Sequence, residues 1–289
     1  MRIEELEYHA PSSLDEACRL LGSLGPKAKV LAGGTDLLVD IKQGALDAGH
    51  LVSLAKVPGL KGIEREDGGL RIGPMATPNQ LAGSDLVRET FPALAEAAGQ
   101  MAGTQIRNLA TLGGNLCSAV PSADLPPCLL TVEAELILAA PGERRTLPLK
   151  EFFLGPRRTA LAHGEILAAI RVPALPPATG TAYEKFQLRN ASALAVVGAA
   201  ARLTLKGGTI EKAIVAIGAC APTPLVIESA AALLKGKEPS APEFARAGEL
   251  AASDVRPISD IRGSEGYRRD LAAVLTVRAL RRCLARIRP

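Results

Sequence analysis

The stretch Val30-Leu31-Ala32-Gly33-Gly34-Thr35-Asp36-Leu37-Leu38 is an apolar run that stops on paired glycines and then begins a second apolar pattern. Lys29 to Ala32 has the length of a buried strand, and Leu37, Leu38 and Ile41 recur at helical spacing. The segment is therefore predicted to be strand, glycine turn and helix, with the helix ending near Gly44. Without Cβ atoms, Gly33 and Gly34 let the backbone approach an anion and turn successive N–H groups toward it, and the Thr35 hydroxyl adds a donor. Asp36 falls in the first turn of the helix, where a carboxylate stabilises the helix N-terminus or holds a ribose hydroxyl.

Thr111-Leu112-Gly113-Gly114-Asn115 carries the same chemistry, with an Asn amide added. One Gly-Gly pair is ordinarily a turn; two such loops in one chain point to a phosphate-bearing cofactor. Neither fits the dinucleotide G-x-G-x-x-G pattern or the G-x-x-x-x-G-K-[ST] phosphate loop, so a different nucleotide fold is required.

Outward from these loops, a strand is expected to end at Tyr8. Ser13 to Glu16 reads as a capping box for a helix with Leu14, Ala17, Cys18 and Leu21 on one face. Gly62 to Met75 reads as a hairpin around Asp67-Gly68-Gly69, and Thr77-Pro78 opens a helical stretch reaching about Met101. Residues 106–127 have the small, Asn-, Gly- and Pro-rich composition of a long ordered loop or a chain of turns. Strands follow at 132–139, 144–149 and 165–172. The Pro-rich run Pro173 to Gly180 is the expected domain boundary, giving domains 1–177 and 181–289. In the second, strands at 183–186, 195–205 and 209–219 and helices at 226–234, 242–255 and 267–287 suggest a three-stranded antiparallel sheet with helices on one face, an α+β chain overall. The last helix carries Arg268, Arg269, Arg278, Arg281, Arg282, Arg286 and Arg288, a solvated face or a dock for an acidic partner, the former favoured.

Composition sets the limits. With 289 residues, 47% hydrophobic and 22% charged, the chain can bury a core in two domains. The most apolar stretch, Ala213 to Ile227, is interrupted by Pro222 and Pro224, so no membrane span is expected. The acidic, polar start MRIEELEYH does not resemble a secretory signal, which makes a cytoplasmic protein the expectation. Five cysteines without a C-x-x-C pair point to reduced thiols. His9, His50 and His163 show no zinc-ligand spacing, and no four-cysteine set suits an iron–sulfur cluster; a redox cofactor would be organic. A net charge of +4 with 3% aromatic residues argues against nucleic acid as a partner.

Leu31 to Leu38, followed by Gln105-Ile106-Arg107-Asn108-Leu109-Ala110-Thr111-Leu112-Gly113-Gly114-Asn115-Leu116 and later by Tyr183-Glu184-Lys185-Phe186, resembles the flavoprotein subunits of molybdenum hydroxylases, a family that includes those of carbon monoxide dehydrogenase and xanthine dehydrogenase. The resemblance covers the whole chain. It implies a two-subdomain FAD-binding domain of the PCMH type, with FAD between the subdomains and its pyrophosphate on the Gly33-Gly34 and Gly113-Gly114 loops. Residue by residue it places Val30, Leu31, Ala32, Gly33, Gly34, Thr35, Asp36, Leu37, Thr111, Gly113, Gly114, Asn115 and Asp124 at the cofactor, and Leu167 and Ala168 beside it. Lys185 falls where a basic residue approaches the flavin; a cation at the N1/C2 edge would raise the flavin potential, whereas a lysine on an alternating strand is otherwise solvated. Met101 stands where relatives often carry an aromatic ring, leaving it as a cofactor contact or core filler. Cys117 to Cys128 passes directly into the next strand, without the cysteine-rich insertion of one family branch. Neither glycine motif contains a histidine, so non-covalent FAD is implied, with Cys117 a small packed side chain.

The same resemblance implies a large partner subunit with the molybdenum cofactor and a small one with 2Fe-2S clusters that feeds this FAD. The acceptor would be NAD most commonly, with a quinone, a carrier protein or oxygen as other acceptors. No catalytic acid–base pair stands out, as suits a subunit that works by placing a cofactor. Two other readings remain open: a free-standing FAD-dependent reductase or oxidase, which needs a proton donor at the flavin, and a nucleotide-binding scaffold, which leaves residues 106–127 unexplained.

Overall fold

The computed structural model describes residues 6–287; Arg288 lies outside them. The chain opens with β1 (Glu7–His9), α1 (Leu14–Ser23), β2 (Ala28–Leu31), α2 (Leu37–Lys42) and β3 (His50–Ser53). The three strands form a parallel sheet in the order β1-β3-β2, with Glu7 and Ala28 both opposite His50. Ser13 caps α1 by accepting the Glu16 N–H. The reciprocal half of the predicted capping box is displaced by one residue, because the Glu16 carboxylate takes the N–H and hydroxyl of Ser12 instead. Ala17, Cys18 and Leu21 are buried, and Val52 packs in the same apolar cluster.

The second layer begins with β4 (Ile63–Glu66) and β5 (Gly69–Ile72). Asp67 and Gly68 both have positive φ, +50° and +77°, as a two-residue primed turn requires. Three short helices follow, α3 (Pro78–Gly83), α4 (Asp85–Thr90) and α5 (Pro92–Gln100), the first opened by a complete capping box between Thr77 and Gln80. Residues 106–127, expected as a loop, contribute to three more: α6 (Thr104–Leu109), α7 (Leu112–Cys117) and α8 (Leu125–Thr131). Each is six or seven residues long, too short to show a period. The glycines of α7 and the prolines of α8 read as breakers, yet Pro126 and Pro127 sit in the first turn, where a missing N–H costs nothing. Every residue of α8 is buried, so packing overrides local propensity.

Next come β6 (Glu135–Ala140), β7 (Glu143–Pro148), the small ribbon β8 (Phe153–Gly155) and β9 (Arg158–Thr159), and β10 (Ile166–Val172). The five-stranded antiparallel sheet has the order β4-β5-β10-β6-β7. β10 lies at its centre, which is why Ile166 to Ile170 is an unbroken apolar run buried on both faces.

The chain re-enters regular structure with β11 (Thr179–Phe186), β12 (Val197–Lys206), β13 (Thr209–Gly218) and β14 (Leu225–Val226). This sheet has four strands, not the three expected. The missed strand is two residues long, directly follows Pro222 and Pro224, and runs almost straight into a helix, so its apolar residues read as the start of that helix. Three helices, α9 (Glu228–Leu234), α10 (Ala241–Asp254) and α11 (Glu265–Ile287), complete the chain. α11 presses so closely on β11 that a Cβ on Gly180 would come within 2.2 Å of the Cys283 carbonyl oxygen.

The arginines of α11 contradict the solvated-face expectation. Arg268 is only 1% exposed, donates to the carbonyls of Val196 and Ala219, and pairs with Asp260. Arg282 and Arg286 both pair with Glu96 on α5, and Arg282 also with Glu184. Arg278 and Arg281 remain exposed. Among the described residues, no helix is long and apolar enough to cross a membrane.

Candidate functional site

Between the parallel sheet and the helices α6 to α8 lies a cavity of about 920 Å³, at the upper end of the range for ligand sites. It gathers most of the residues singled out in the sequence. Val30, Ala32, Gly33, Gly34, Thr35, Asp36 and Leu37 line one side; Thr111, Gly113, Gly114 and Asn115 line another; Met101, Asp124 and Leu167 also belong to the wall.

The first glycine loop is shaped for close approach. Gly34 has φ +72°, which L side chains rarely adopt. A Cβ on Gly33 would come within 2.0 Å of the Leu109 carbonyl oxygen, so the first obstacle there is the protein's own backbone rather than a ligand. This turn thus packs against the chain that leads into the second glycine loop. The N–H groups of Gly33, Gly34 and Thr35 find no acceptor among the described residues and are free to bind an anion.

The second loop differs from its sequence reading. The Leu112 and Gly113 N–H groups donate to Ala76 and Pro74 carbonyls at 2.8 Å each, and Gly114 N–H donates to Thr111 Oγ1 at 3.0 Å. These amides are all engaged within the protein. The glycines instead permit contact: a Cβ on Gly113 would lie 2.6 Å from Pro74 Cβ, and one on Gly114 2.9 Å from Thr111 Oγ1. What α7 offers the cavity is the Asn115 amide. Its Oδ1 is buried without a partner, and its Nδ2 reaches only Met101 Sδ at 3.8 Å, so the side chain is poised for a ligand. Met101 is 8% exposed, filling core and cavity wall together.

Asp36 links the first loop to α7 through its side chain. It does not cap α2 with its side chain and accepts a 2.7 Å hydrogen bond from Ser118 Oγ, tying the first loop to the end of α7. Arg157 pairs with Asp40 at the cavity wall.

Three of the expected contact residues do not line the cavity. Leu31 turns toward Leu38, the two side chains closing over Gly34. Ala168 is 1% exposed in the core beneath the parallel sheet. Lys185 is fully buried and donates to Asp124 Oδ2 at 3.0 Å and to the carbonyls of Gln100 and Ala193 at 3.2 Å each. It is neither solvated nor at the cavity wall, and its three donors are used by the protein. Two of its partners, Asp124 and Ala193, line the cavity, and the other Asp124 oxygen accepts from Tyr183 Oη at 2.7 Å. Burial pushes the Asp124 carboxyl above its ordinary range, against the pull of Lys185. The Tyr183 hydroxyl is pushed up by burial and then by Asp124. Cys117 lines the cavity as a packed thiol, raised to about 12 by burial and therefore protonated.

Sequence reading missed Ser118, Arg157 and His163 as cavity residues. His163 accepts from or donates to no titratable neighbour in the wall; its Nε2 lies 3.2 Å from the Gly22 carbonyl. None of the three sits in a motif, and only the fold brings them to the cavity. The fold also brings together three possible metal ligands from two segments that lie far apart in the sequence. Parallel pairing puts Glu7 and His9 of β1 beside His50 of β3, with ligand atoms of all three within 4.8 Å of one another.

The chain matches the model of the FAD binding domain in molybdopterin dehydrogenase over residues 4–175 and that of the CO dehydrogenase flavoprotein C-terminal domain over residues 181–283. It is 38% identical to the carbon monoxide dehydrogenase medium chain of Hydrogenophaga pseudoflava, covering 97% of each chain. It is 34% identical to the xanthine dehydrogenase FAD-binding subunit of Escherichia coli O157:H7, covering 96% of each. The solved structure of the Hydrogenophaga pseudoflava carbon monoxide dehydrogenase lacking the Mo-pyranopterin moiety superposes with a TM-score of 0.95, at 38% identity and 99% coverage of both chains. Quinoline 2-oxidoreductase of Pseudomonas putida 86 follows at 0.92, 30% identity and 99% coverage of both. With both halves of the chain matched, and a cavity whose free loop amides and orphaned Asn115 amide suit a dinucleotide, the chain belongs to the family of FAD-binding subunits of molybdenum hydroxylases.

Proposed function

We propose that this chain is the electron-exit subunit of a cytoplasmic molybdenum hydroxylase complex. It receives electrons from the 2Fe-2S clusters of a small partner subunit, while a large partner subunit with the molybdenum cofactor oxidises the substrate. NAD is the first candidate acceptor. FAD, when bound, supplies the capacity to accept electrons singly and release them in pairs. The chain's own residues do the placing. The Gly33, Gly34 and Thr35 amides hold the pyrophosphate, Asn115 supplies a neutral polar edge, and Val30, Leu37, Met101 and Leu167 exclude water. The Asp124–Lys185–Tyr183 group, buried and mutually hydrogen-bonded, fixes one polar wall. FAD is held without a covalent link, within a domain spanning 1–177 that is followed by a C-terminal domain from 181.

The observation that carries this reading is a cavity with free loop amides and the orphaned Asn115 amide on its wall, whose carboxylates are each held by a protein partner: Asp124 by Lys185 and Tyr183, Asp36 by Ser118, Asp40 by Arg157 and Glu165 by Arg145. Such a site needs an electron source outside the chain. Anaerobic mixing of the purified chain with purines, aldehydes and aromatic heterocycles should leave the flavin oxidised, whereas the copurified complex bleaches with its own substrate. Rapid bleaching of the isolated chain by an organic substrate would overturn the assignment in favour of a free-standing flavoenzyme. Acid precipitation should release a yellow supernatant with an FAD spectrum; flavin retained in the pellet would refute non-covalent binding.

A further inference from the structure

Where the edge strand β1 pairs with the central strand β3, three potential ligands converge. His9 Nε2 and His50 Nδ1 are 3.3 Å apart, and Glu7 Oε2 lies 3.4 Å from His50 Nδ1 and 3.8 Å from His9 Nε2. We propose that Glu7, His9 and His50 form a binding site for a divalent transition-metal ion of the zinc class, clipping β1 to β3.

The geometry fits coordination better than a hydrogen-bonded pair. Zinc–nitrogen bonds of about 2.0–2.1 Å at tetrahedral angles put neighbouring ligand atoms about 3.3–3.4 Å apart. Two of the three separations already match, and the third closes with a small rotation of the Glu7 side chain, which is 69% exposed. By contrast, 3.3 Å is long for a hydrogen bond to a ring nitrogen, and the two rings are tilted by 47° rather than stacked. The backbone holds the ligands in place independently of any ion: Glu7 and His50 are register partners in the parallel ladder, and Glu7 N–H donates to the Gly49 carbonyl. Two imidazoles and one carboxylate are a borderline donor set, suited to zinc and, by the general order of affinities, to nickel and copper ahead of magnesium or calcium. The histidine side chains are 23% and 26% exposed, leaving an entry path and a fourth position open to water. Because the ligands come from two strands separated by 41 residues, an ion there would resist fraying of the first strand.

The test uses the full-length, FAD-loaded chain, dialysed against chelator and titrated with zinc chloride by calorimetry, with metal content measured after gel filtration. One zinc per chain is expected, together with a rise in melting temperature. His9→Gln and His50→Gln should each abolish both effects, and Glu7→Gln should weaken binding at least about tenfold. None of the three residues lines the cavity, so flavin content should stay at the wild-type level. Absence of stoichiometric zinc, or zinc binding undiminished in the two histidine variants, would overturn the site. If a histidine variant fails to hold its flavin, Glu7→Gln decides: unchanged zinc affinity there refutes the proposal, and a weakened one supports it.

Discussion

Gly33 and Asn115 illustrate two different demands that a binding loop places on single residues. Gly33 is required by the fold, since its missing Cβ leaves room for the Leu109 carbonyl. Gly33→Ala should therefore destabilise apo and FAD-loaded protein alike, by about 1–3 kcal/mol in urea unfolding, as overpacking against backbone does. If only the FAD-loaded protein were affected, the clash would be with the ligand and the packing argument would fail. Asn115 is the reverse case. Its orphaned Oδ1 already disfavours the apo fold, so Asn115→Ala should leave apo stability unchanged or slightly raised. FAD affinity should fall about tenfold, as expected for one lost hydrogen bond to a ligand donor, read by fluorescence titration. Unchanged affinity would place the cofactor away from α7.

At the scale of elements, α11 is anchored by an ion pair rather than by its apolar stripe alone. Arg268 is buried against Val196 and Ala219, with Asp260 as its charge partner. Asp260→Asn leaves that guanidinium without compensation and should cost about 3 kcal/mol in equilibrium unfolding. Hydrogen bonds from Arg262, and then from Arg268, hold the Asp260 carboxyl well below the usual carboxylate range. A depressed acid contributes stability that is complete above its unfolded value, about pH 4, and is lost as pH falls through the folded value. Acid unfolding of Asp260→Asn should accordingly lack this part of the pH dependence; an unaltered acid profile would show that Arg268 draws its compensation from elsewhere.

For the molecule as a whole, the two halves share packing. α5 carries Glu96, which receives Arg282 and Arg286 from α11 and the Tyr183 N–H from β11. Tyr183, Ala200 and Ala216 of the C-terminal sheet belong to the same buried cluster as Leu94 and Leu129. A fragment ending at residue 177 should then expose the α5 and α8 faces, and it should aggregate or bind a hydrophobic dye rather than hold FAD. A monomeric, flavin-loaded fragment would refute this coupling.

The sequence by itself determined the strand–glycine–helix unit at Gly33-Gly34, the hairpin at Asp67-Gly68 and the long C-terminal helix. Each is written in local chemistry: a positive φ, an apolar period, a capping hydroxyl. It also named both glycine motifs that line the cavity, because their chemistry is local. The tertiary structure alone decided that residues 106–127 run into short helices, α7 partly and α8 wholly buried, since elements of six or seven residues owe their form to packing. It alone placed Lys185 behind Asp124 instead of at the cavity, because a side chain's burial depends on which strands flank its own. It alone brought His9 and His50 together across 41 residues, for strand register is a relation between distant segments that no spacing along the chain records.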